Sequence, residues 1–257
     1  MGKFGKDTRR MSARDFKAQE DLAKKFGYKK MSAFKLEVAK AIKGFCAGGG
    51  YLFAMCSGSE SLDVALAADG VDIVPSQFDG DGMDAKVQEK LNFEKALAFE
   101  NFFISSEEFD GERRGGPRSF SDINIGLGSG WGGFSEEEID SYFNLFEFSA
   151  KWDVIPALLT QNHQNTIREF MGQTTGFNKK TVKSNVLVMG TSKTSDRYIY
   201  GEVGHGQFAF YAGHDPEGRR GFHRMPTDLN LHTNSPGYRL ILNNVLFPSA
   251  RKKKRKT

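Results

Sequence analysis

One short segment restricts the fold of this chain more than any other. Residues 51–56 form a run of six apolar residues between two sections with helical character, 33–46 and 59–68. Three consecutive glycines, 48–50, end the first helix and lead into the run. Short apolar runs flanked by helices are typical of buried parallel strands. The segment therefore predicts a helix–strand–helix unit within an α/β sheet.

The remaining elements are predicted from the same kinds of local pattern. Helices are expected at 13–26, near Val154 and at 236–246, and Ser32 and Ser235 are expected as N-caps. Pro236 suits the first position of the last helix. Strands are expected in five further segments: 97–105, 143–149, 186–191, 197–203 and 206–212. The last two, separated by residues 204–205, are expected to form a hairpin.

These elements predict a flavodoxin-like three-layer sandwich with a mostly parallel sheet. The chain divides into a basic helical segment, 1–31, an α/β domain, 32–250, and a basic tail, 251–257. Residues 75–150 are rich in glycine and phenylalanine and predict a β insertion or an irregular part of the domain.

The charge of the chain is unevenly distributed and restricts the classes of partner. Residues 1–45 hold 13 Lys and Arg against 5 Asp and Glu, and 251–256 are all basic. Residues 46–250 hold 17 against 27, so the core domain is acidic and predicts no nucleic-acid partner. The basic tail is either a solvated terminus or a contact for phosphate or an acidic partner.

Membrane insertion and a disulfide framework are not expected. No run approaches the roughly 18 apolar residues of a membrane span. The two cysteines, Cys46 and Cys56, are too few for a disulfide framework or a four-cysteine zinc site. A reducing compartment, and hence the cytoplasm, is the default location.

The turn that follows the apolar run carries the strongest chemical signal. Cys56 stands at the end of the predicted strand and is followed by the small residues Ser57 and Gly58. This is the layout of a nucleophile elbow, in which the next helix points its N-terminus at the nucleophile. The N–H of Ser57 would then face an oxyanion. The alternative is a buried cysteine that closes a core strand.

A cysteine nucleophile needs a base, and His214 is the best-placed histidine. It follows the apolar strand 206–212, and Glu217, three residues further on, would orient its imidazole. The alternative is a turn histidine. No metal site is predicted, because the acidic segment 79–84 departs from the calcium-loop pattern. No cofactor is predicted either, since the glycine-rich stretches lack phosphate-binding spacing.

At these residues the chain resembles the class I glutamine amidotransferase-like superfamily, including its trehalose-utilisation (ThuA-like) branch. The elbow Ala54-Met-Cys-Ser-Gly-Ser-Glu60 is similar to that superfamily's Gly-x-Cys-x-Gly-x-Gln. His214-Asp-Pro-Glu217 is similar to its His-Pro-Glu motif, with one residue inserted. Residues 45–68 and 213–250 also look like a bacterial family labelled "asparagine synthetase B".

The resemblance implies a cysteine nucleophile that acts on an amide or similar acyl C–N bond of a small molecule. Catalysis would then use three residues: Cys56, His214 and Glu217. The oxyanion and substrate site would use four: Ser57, Gly58, Glu60 and Gly50. Two alternatives remain open: a non-catalytic ThuA-like domain that binds a carbohydrate or small ligand, and a structural fragment that completes its sheet with a partner chain.

The same resemblance implies that the front of the sheet is missing. Members of the superfamily have several strands before the elbow, whereas the residues before Cys56 predict helices. A partner chain would supply these strands, or a longer form of the protein would contain them. Such a longer form would be exported if it carried a signal peptide. A sheet without its first strands exposes an edge, which predicts a partner.

Overall fold

The computed structural model describes these residues: 13–74, 82–104, 121–125, 143–146, 158, 165–167, 176–213, 230 and 233–249. Its helices are α1 (Ala13–Lys25), α2 (Met31–Ala47), α3 (Ser57–Ala67), α4 (Val87–Lys90) and α5 (Pro236–Leu246). Its strands are β1 (Tyr51–Met55), β2 (Asn124–Ile125), β3 (Phe143–Leu145), β4 (Thr166–Ile167), β5 (Gly176–Phe177), β6 (Leu187–Thr191), β7 (Asp196–Val203) and β8 (Gly206–Tyr211). None of the helices in these residues is long and apolar enough to cross a membrane.

The strands form one open sheet in the order β1-β8-β7-β6-β3-β4, and β5 joins β2 to β7 beside this path. Only β1 and β8 pair in parallel among the described strands; the other pairs are antiparallel. The fold is therefore mixed α/β, but the expected mostly parallel sheet is not found. The reason is connection length: residues 204–205 join β7 to β8 and 192–195 join β6 to β7, too few for a parallel crossover.

Helices cover both faces of this sheet. One core contains Phe208 and Phe210 of β8 together with buried residues of α2 and α3. The other contains Tyr211 of β8, Tyr198 of β7 and Leu240 of α5. Successive residues of β8 alternate between the two cores, as the pleat of a strand requires. The described part of the chain thus has helices on both faces of one mostly antiparallel sheet.

Several local predictions are confirmed. The structure contains α1, β1, β6 and the β7–β8 hairpin close to their predicted bounds. Helix α5 has the predicted bounds, and the Ser235 hydroxyl accepts a hydrogen bond of 3.3 Å from the Tyr238 N–H. The helix expected near Val154 and the larger part of the predicted insertion, 75–150, fall outside the described residues.

Two local predictions are wrong. Helix α2 begins at Met31 and its N-cap is Lys30, so Ser32 lies inside the first turn. Residues 97–104 form no strand; they make only isolated bridges, Phe99 with Val182 and Ile104 with Ser121. Their backbone N–H groups instead meet a buried carboxylate, which is described below.

Candidate active site

Cys56 has the strained backbone that a nucleophile elbow requires. Strand β1 ends at Met55 and α3 begins at Ser57, so Cys56 alone makes the turn. Its φ is 53° and its ψ is −136°, a conformation that residues with a Cβ rarely adopt. The predicted strand–turn–helix context of Cys56 is therefore present.

Hydrogen bonds on both sides of Cys56 hold this conformation. Its N–H donates to the carbonyl oxygen of Tyr211 at 2.9 Å, and this extends the parallel pairing of β1 with β8. Its carbonyl oxygen accepts a bond of 2.8 Å from the hydroxyl of Ser59, a fully buried residue. The surrounding structure therefore compensates the strain, which otherwise costs about 1–3 kcal/mol.

The thiol of Cys56 lies in a largely buried environment. Burial raises its pKa, the nearby charge of Glu60 adds to that effect, and the N–H and hydroxyl of Ser57 oppose it. The thiol is consequently protonated at neutral pH, and attack by its sulfur requires a base. Gly58 is exposed, and no described residue lies within 4 Å of the position of a Cβ there.

The end of β8 adjoins this turn. The carbonyl oxygen of Tyr211 accepts the Gly213 N–H at 3.0 Å as well as the Cys56 N–H. Gly213, the last described residue of this segment, therefore lies at the Cys56 end of the sheet. His214 and Glu217 themselves lie outside the described residues.

Two other predicted site residues have structural contacts in this fold. Glu60 is buried, and its carboxylate accepts bonds from the Ser121 hydroxyl at 2.7 Å and from the Asn124 side-chain amide, which ties α3 to residues 121–124. Gly50 precedes the first residue of β1, where its carbonyl oxygen accepts the Gln207 N–H at 3.1 Å. At the rise of an extended strand, Gly50 is about 20 Å from Cys56, so the structure does not bring these two together.

Arg197 is a charged residue near this end of the sheet that sequence reasoning missed. Its carbonyl oxygen accepts the Ala212 N–H at 2.7 Å, so Arg197 lies on β7 next to the end of β8. It is buried, with 5% of its surface exposed. The signal in the sequence was a single arginine in the otherwise uncharged run 197–201.

Asp63 of α3 is a second buried charge that the sequence reasoning did not single out. Its carboxylate accepts the backbone N–H groups of Leu97, Ala98 and Phe99 at 2.8, 2.6 and 2.9 Å. Burial raises the pKa of Asp63 to about 6, while these three donors and the charge of Lys183 oppose the rise. The contact fixes residues 97–99 against α3 and explains why they join no sheet.

The fold and site define a mixed α/β protein with a strained cysteine at a strand–helix turn. No protein-family model matches the chain, and neither a curated protein nor a solved structure matches it. Within the described ranges, no group of three His, Cys, Asp or Glu side chains is placed to hold a metal ion.

Proposed function

We propose that Cys56 is the nucleophile of a cysteine-dependent amidohydrolase or amidotransferase that acts on a small molecule. The observation that carries the proposal is the backbone of Cys56, whose φ of 53° and ψ of −136° form the turn between β1 and α3. Strained conformations of this kind persist where the surroundings enforce them, and they cluster at active sites. The resemblance to the glutamine amidotransferase-like superfamily supports the same chemistry, whereas the mostly antiparallel sheet counts against a flavodoxin-like fold.

The proposed reaction begins with proton transfer from the thiol to His214. The sulfur attacks the acyl carbon, an S–C bond forms, and the oxygen takes up negative charge near the N-terminus of α3. The C–N bond then breaks, and His214 gives its proton to the leaving amine. Water or a second amine cleaves the resulting thioester. Glu217 orients the imidazole of His214 throughout.

The raised pKa of the Cys56 thiol sets the role of His214. Burial disfavours the thiolate, so a preformed thiolate–imidazolium pair is not part of the proposal. His214 acts as a general base during the attack, and the rate should follow the pKa of its imidazole.

Acyl transfer from p-nitrophenyl acetate tests this proposal on the full chain. Peptide mass mapping should find the acetyl group on Cys56, and His214→Ala should slow its transfer by about 100-fold or more. Cys46→Ala is the matched control, because Cys46 is fully buried and donates to the Gln207 carbonyl oxygen. Acetylation of Cys56 that is unchanged in His214→Ala, or that occurs only on unfolding, would contradict the proposal.

A non-catalytic small-ligand domain is the second candidate, and the burial of Cys56 favours it. A thiol with a raised pKa and little exposure is a poor nucleophile without a base. Under this alternative, Cys56 stays unmodified in the folded chain and glutamine amide hydrolysis is undetectable. Hydrolysis that is lost in Cys56→Ala and retained in Cys46→Ala would exclude it.

A further inference from the structure

Glu60 is a buried carboxylate in the first turn of α3, and the proposed acyl transfer does not use it. It has 1% of its surface exposed and follows Cys56 by four residues. Residues four apart lie on the same side of a helix, so the carboxylate and the thiol belong to one end of α3. Burial of a charge is costly unless donors surround it, so the neighbours of Glu60 show what holds it there.

Donors from residues 121–124 hold this carboxylate. The hydroxyl and the N–H of Ser121 donate to one oxygen at 2.7 and 3.2 Å, and the Asn124 side-chain amide donates to the other. Hydrogen bonds donated to a carboxylate favour its charged form. Glu60 therefore carries a negative charge inside the fold and ties residues 121–124 to the first turn of α3.

Strand pairings place β2 at the same end of the sheet as Cys56. β2 pairs with β5, and β5 pairs with the first residue of β7, Asp196. β7 begins at the level at which β8 and β1 end, because Tyr198 pairs with Tyr211 and Tyr211 pairs with Met55. The contacts of the buried carboxylate therefore connect the elbow to the neighbouring segment of the sheet.

The anchoring contacts alone do not require a charge at position 60. The Asn124 amide directs its N–H2 group at Glu60, and its carbonyl oxygen is buried without a hydrogen-bond partner among the described residues. A glutamine at position 60 would accept from Ser121 in the same way, and its N–H would donate to that carbonyl oxygen once the Asn124 amide turns over. The charge of Glu60 therefore has an effect that is separate from its hydrogen bonds.

The charge of Glu60 acts on the Cys56 thiol. Burial raises the pKa of this thiol, and the Glu60 charge raises it further against the opposing donors of Ser57. The reason is that a thiolate would be a second negative charge at the same end of α3. Loss of the Glu60 charge should therefore increase the fraction of Cys56 that is thiolate at neutral pH.

Other ionisable groups on the elements around the elbow are neutral or have different partners. Burial holds the pKa of Tyr211 on β8 well above its ordinary value, so its hydroxyl is uncharged at neutral pH, and the charge of Arg197 on β7 acts on that hydroxyl. Among the described residues, Glu60 is the charge that acts on the Cys56 thiol. The remaining carboxylates accept hydrogen bonds from groups other than Cys56: Asp63, Asp122 and Asp196.

We propose that Glu60 is a positioning residue for Cys56: its carboxylate anchors residues 121–124 beside the elbow, and its charge keeps the thiol protonated until a base removes the proton. This inference rests on the nucleophilic role proposed for Cys56. The thiolate is the form of cysteine that is alkylated and oxidised, so a thiol that stays protonated is protected from both reactions. Glu60 thereby restricts Cys56 to reactions in which a base is in place.

The pH dependence of alkylation by iodoacetamide tests the effect of the charge on the full chain. A Cys46→Ala background leaves Cys56 as the single thiol. In this background, Glu60→Gln should lower the midpoint pH of the reaction and raise the rate near pH 7 about tenfold, the effect of a unit charge at about 10 Å in an interior of effective dielectric constant about 20. A loosened structure would instead raise the rate without a change in the midpoint.

Two further variants separate the charge from the anchor. Asp63→Asn is the matched control for the charge, because it neutralises a fully buried carboxylate on the same helix whose partners are residues 97–99, and it should leave the midpoint unchanged. Glu60→Ala removes the anchor, so the Ser121 N–H should exchange its hydrogen at least about tenfold faster than in wild type. In Glu60→Gln this N–H should stay protected.

A measurement on the chain with Glu60 in place keeps the test decisive if Glu60→Gln fails to fold. The alkylation midpoint of Cys56 should be higher in the folded chain than in urea, and a midpoint at or below the value in urea would overturn the proposal. An unchanged midpoint in folded Glu60→Gln, or an equal fall in Asp63→Asn, would overturn it as well. If the midpoint falls as expected but p-nitrophenyl acetate does not acetylate Cys56, the proposed function alone is refuted.

Discussion

The backbone of Cys56 predicts that the usual preference between alanine and glycine is reversed at this position. With φ at 53° and ψ at −136°, a residue with a Cβ carries a strain of about 1–3 kcal/mol, whereas glycine carries little. Cys56→Ala keeps the Cβ and therefore the strain. Cys56→Gly removes both, and the two variants lose the same sulfur. The difference in stability between them therefore isolates the backbone conformation.

Three smaller effects modify the size of this difference. Glycine raises the entropy of the unfolded chain, which costs the Gly variant about 0.7 kcal/mol. Loss of one buried carbon costs about 0.8 kcal/mol more. Glycine is also preferred over alanine at the N-cap of a helix by about 0.5 kcal/mol. With a strain of about 2 kcal/mol, Cys56→Gly should be about 1 kcal/mol more stable than Cys56→Ala.

Urea denaturation at pH 7 measures the difference, and Ala54 supplies the control. Ala54 lies two residues earlier in the regular part of β1, so Ala54→Gly should lower the free energy of unfolding by about 1 kcal/mol. Alanine is thus preferred at position 54 and glycine at position 56. If Cys56→Gly is instead less stable than Cys56→Ala by a similar margin, the claim that the backbone of Cys56 is strained is wrong.

Three further results are expected from denaturation experiments. Asp63→Asn leaves at least one of the three backbone N–H groups without an acceptor and should lower the free energy of unfolding by about 2 kcal/mol at pH 7. The pKa of Asp63 is about 6 in the folded chain and about 4 in the unfolded chain, so protonation of this carboxyl favours folding. This contribution to the free energy of unfolding is complete below pH 4 and is lost as the pH rises through 6. The stability of wild type relative to Asp63→Asn should therefore be about 2 kcal/mol greater at pH 4.5 than at pH 7, and an equal difference at both pH values would contradict the shift. Gly206→Ala would place a Cβ on the carbonyl oxygen of Cys46 and should lower the free energy of unfolding by more than about 2 kcal/mol. Gly58→Ala meets no described neighbour and should raise the free energy of unfolding by about 0.5 kcal/mol, because alanine favours helix α3. A change of the same sign in both variants would refute this packing.

The parts of the fold that local sequence signals determine were predicted well. Helix α5 begins where Ser235 and Pro236 indicate, because an N-cap side chain satisfies a backbone N–H within the same turn. The β7–β8 hairpin forms around Gly204, whose φ of 58° suits the tight turn. The strand–turn–helix context of Cys56 is local in the same sense.

The sheet direction and the buried charges depend on contacts between distant parts of the chain. The parallel pairing of β1 with β8 joins residues more than 150 positions apart, and no local pattern indicates that β3 pairs antiparallel with β6. Residues 97–99 read as a strand by composition, but the Asp63 carboxylate takes the N–H groups that a strand would need. Glu60 similarly takes its partners from residues 121–124.

The central claim, a cysteine nucleophile paired with a histidine base, is tested most directly by one distance. A crystal structure of the full chain should place a ring nitrogen of His214 about 3–4 Å from the Cys56 sulfur. The Glu217 carboxylate should lie within hydrogen-bond reach of the other ring nitrogen. A separation beyond about 7 Å, or a side chain packed between the two groups, would contradict the claim.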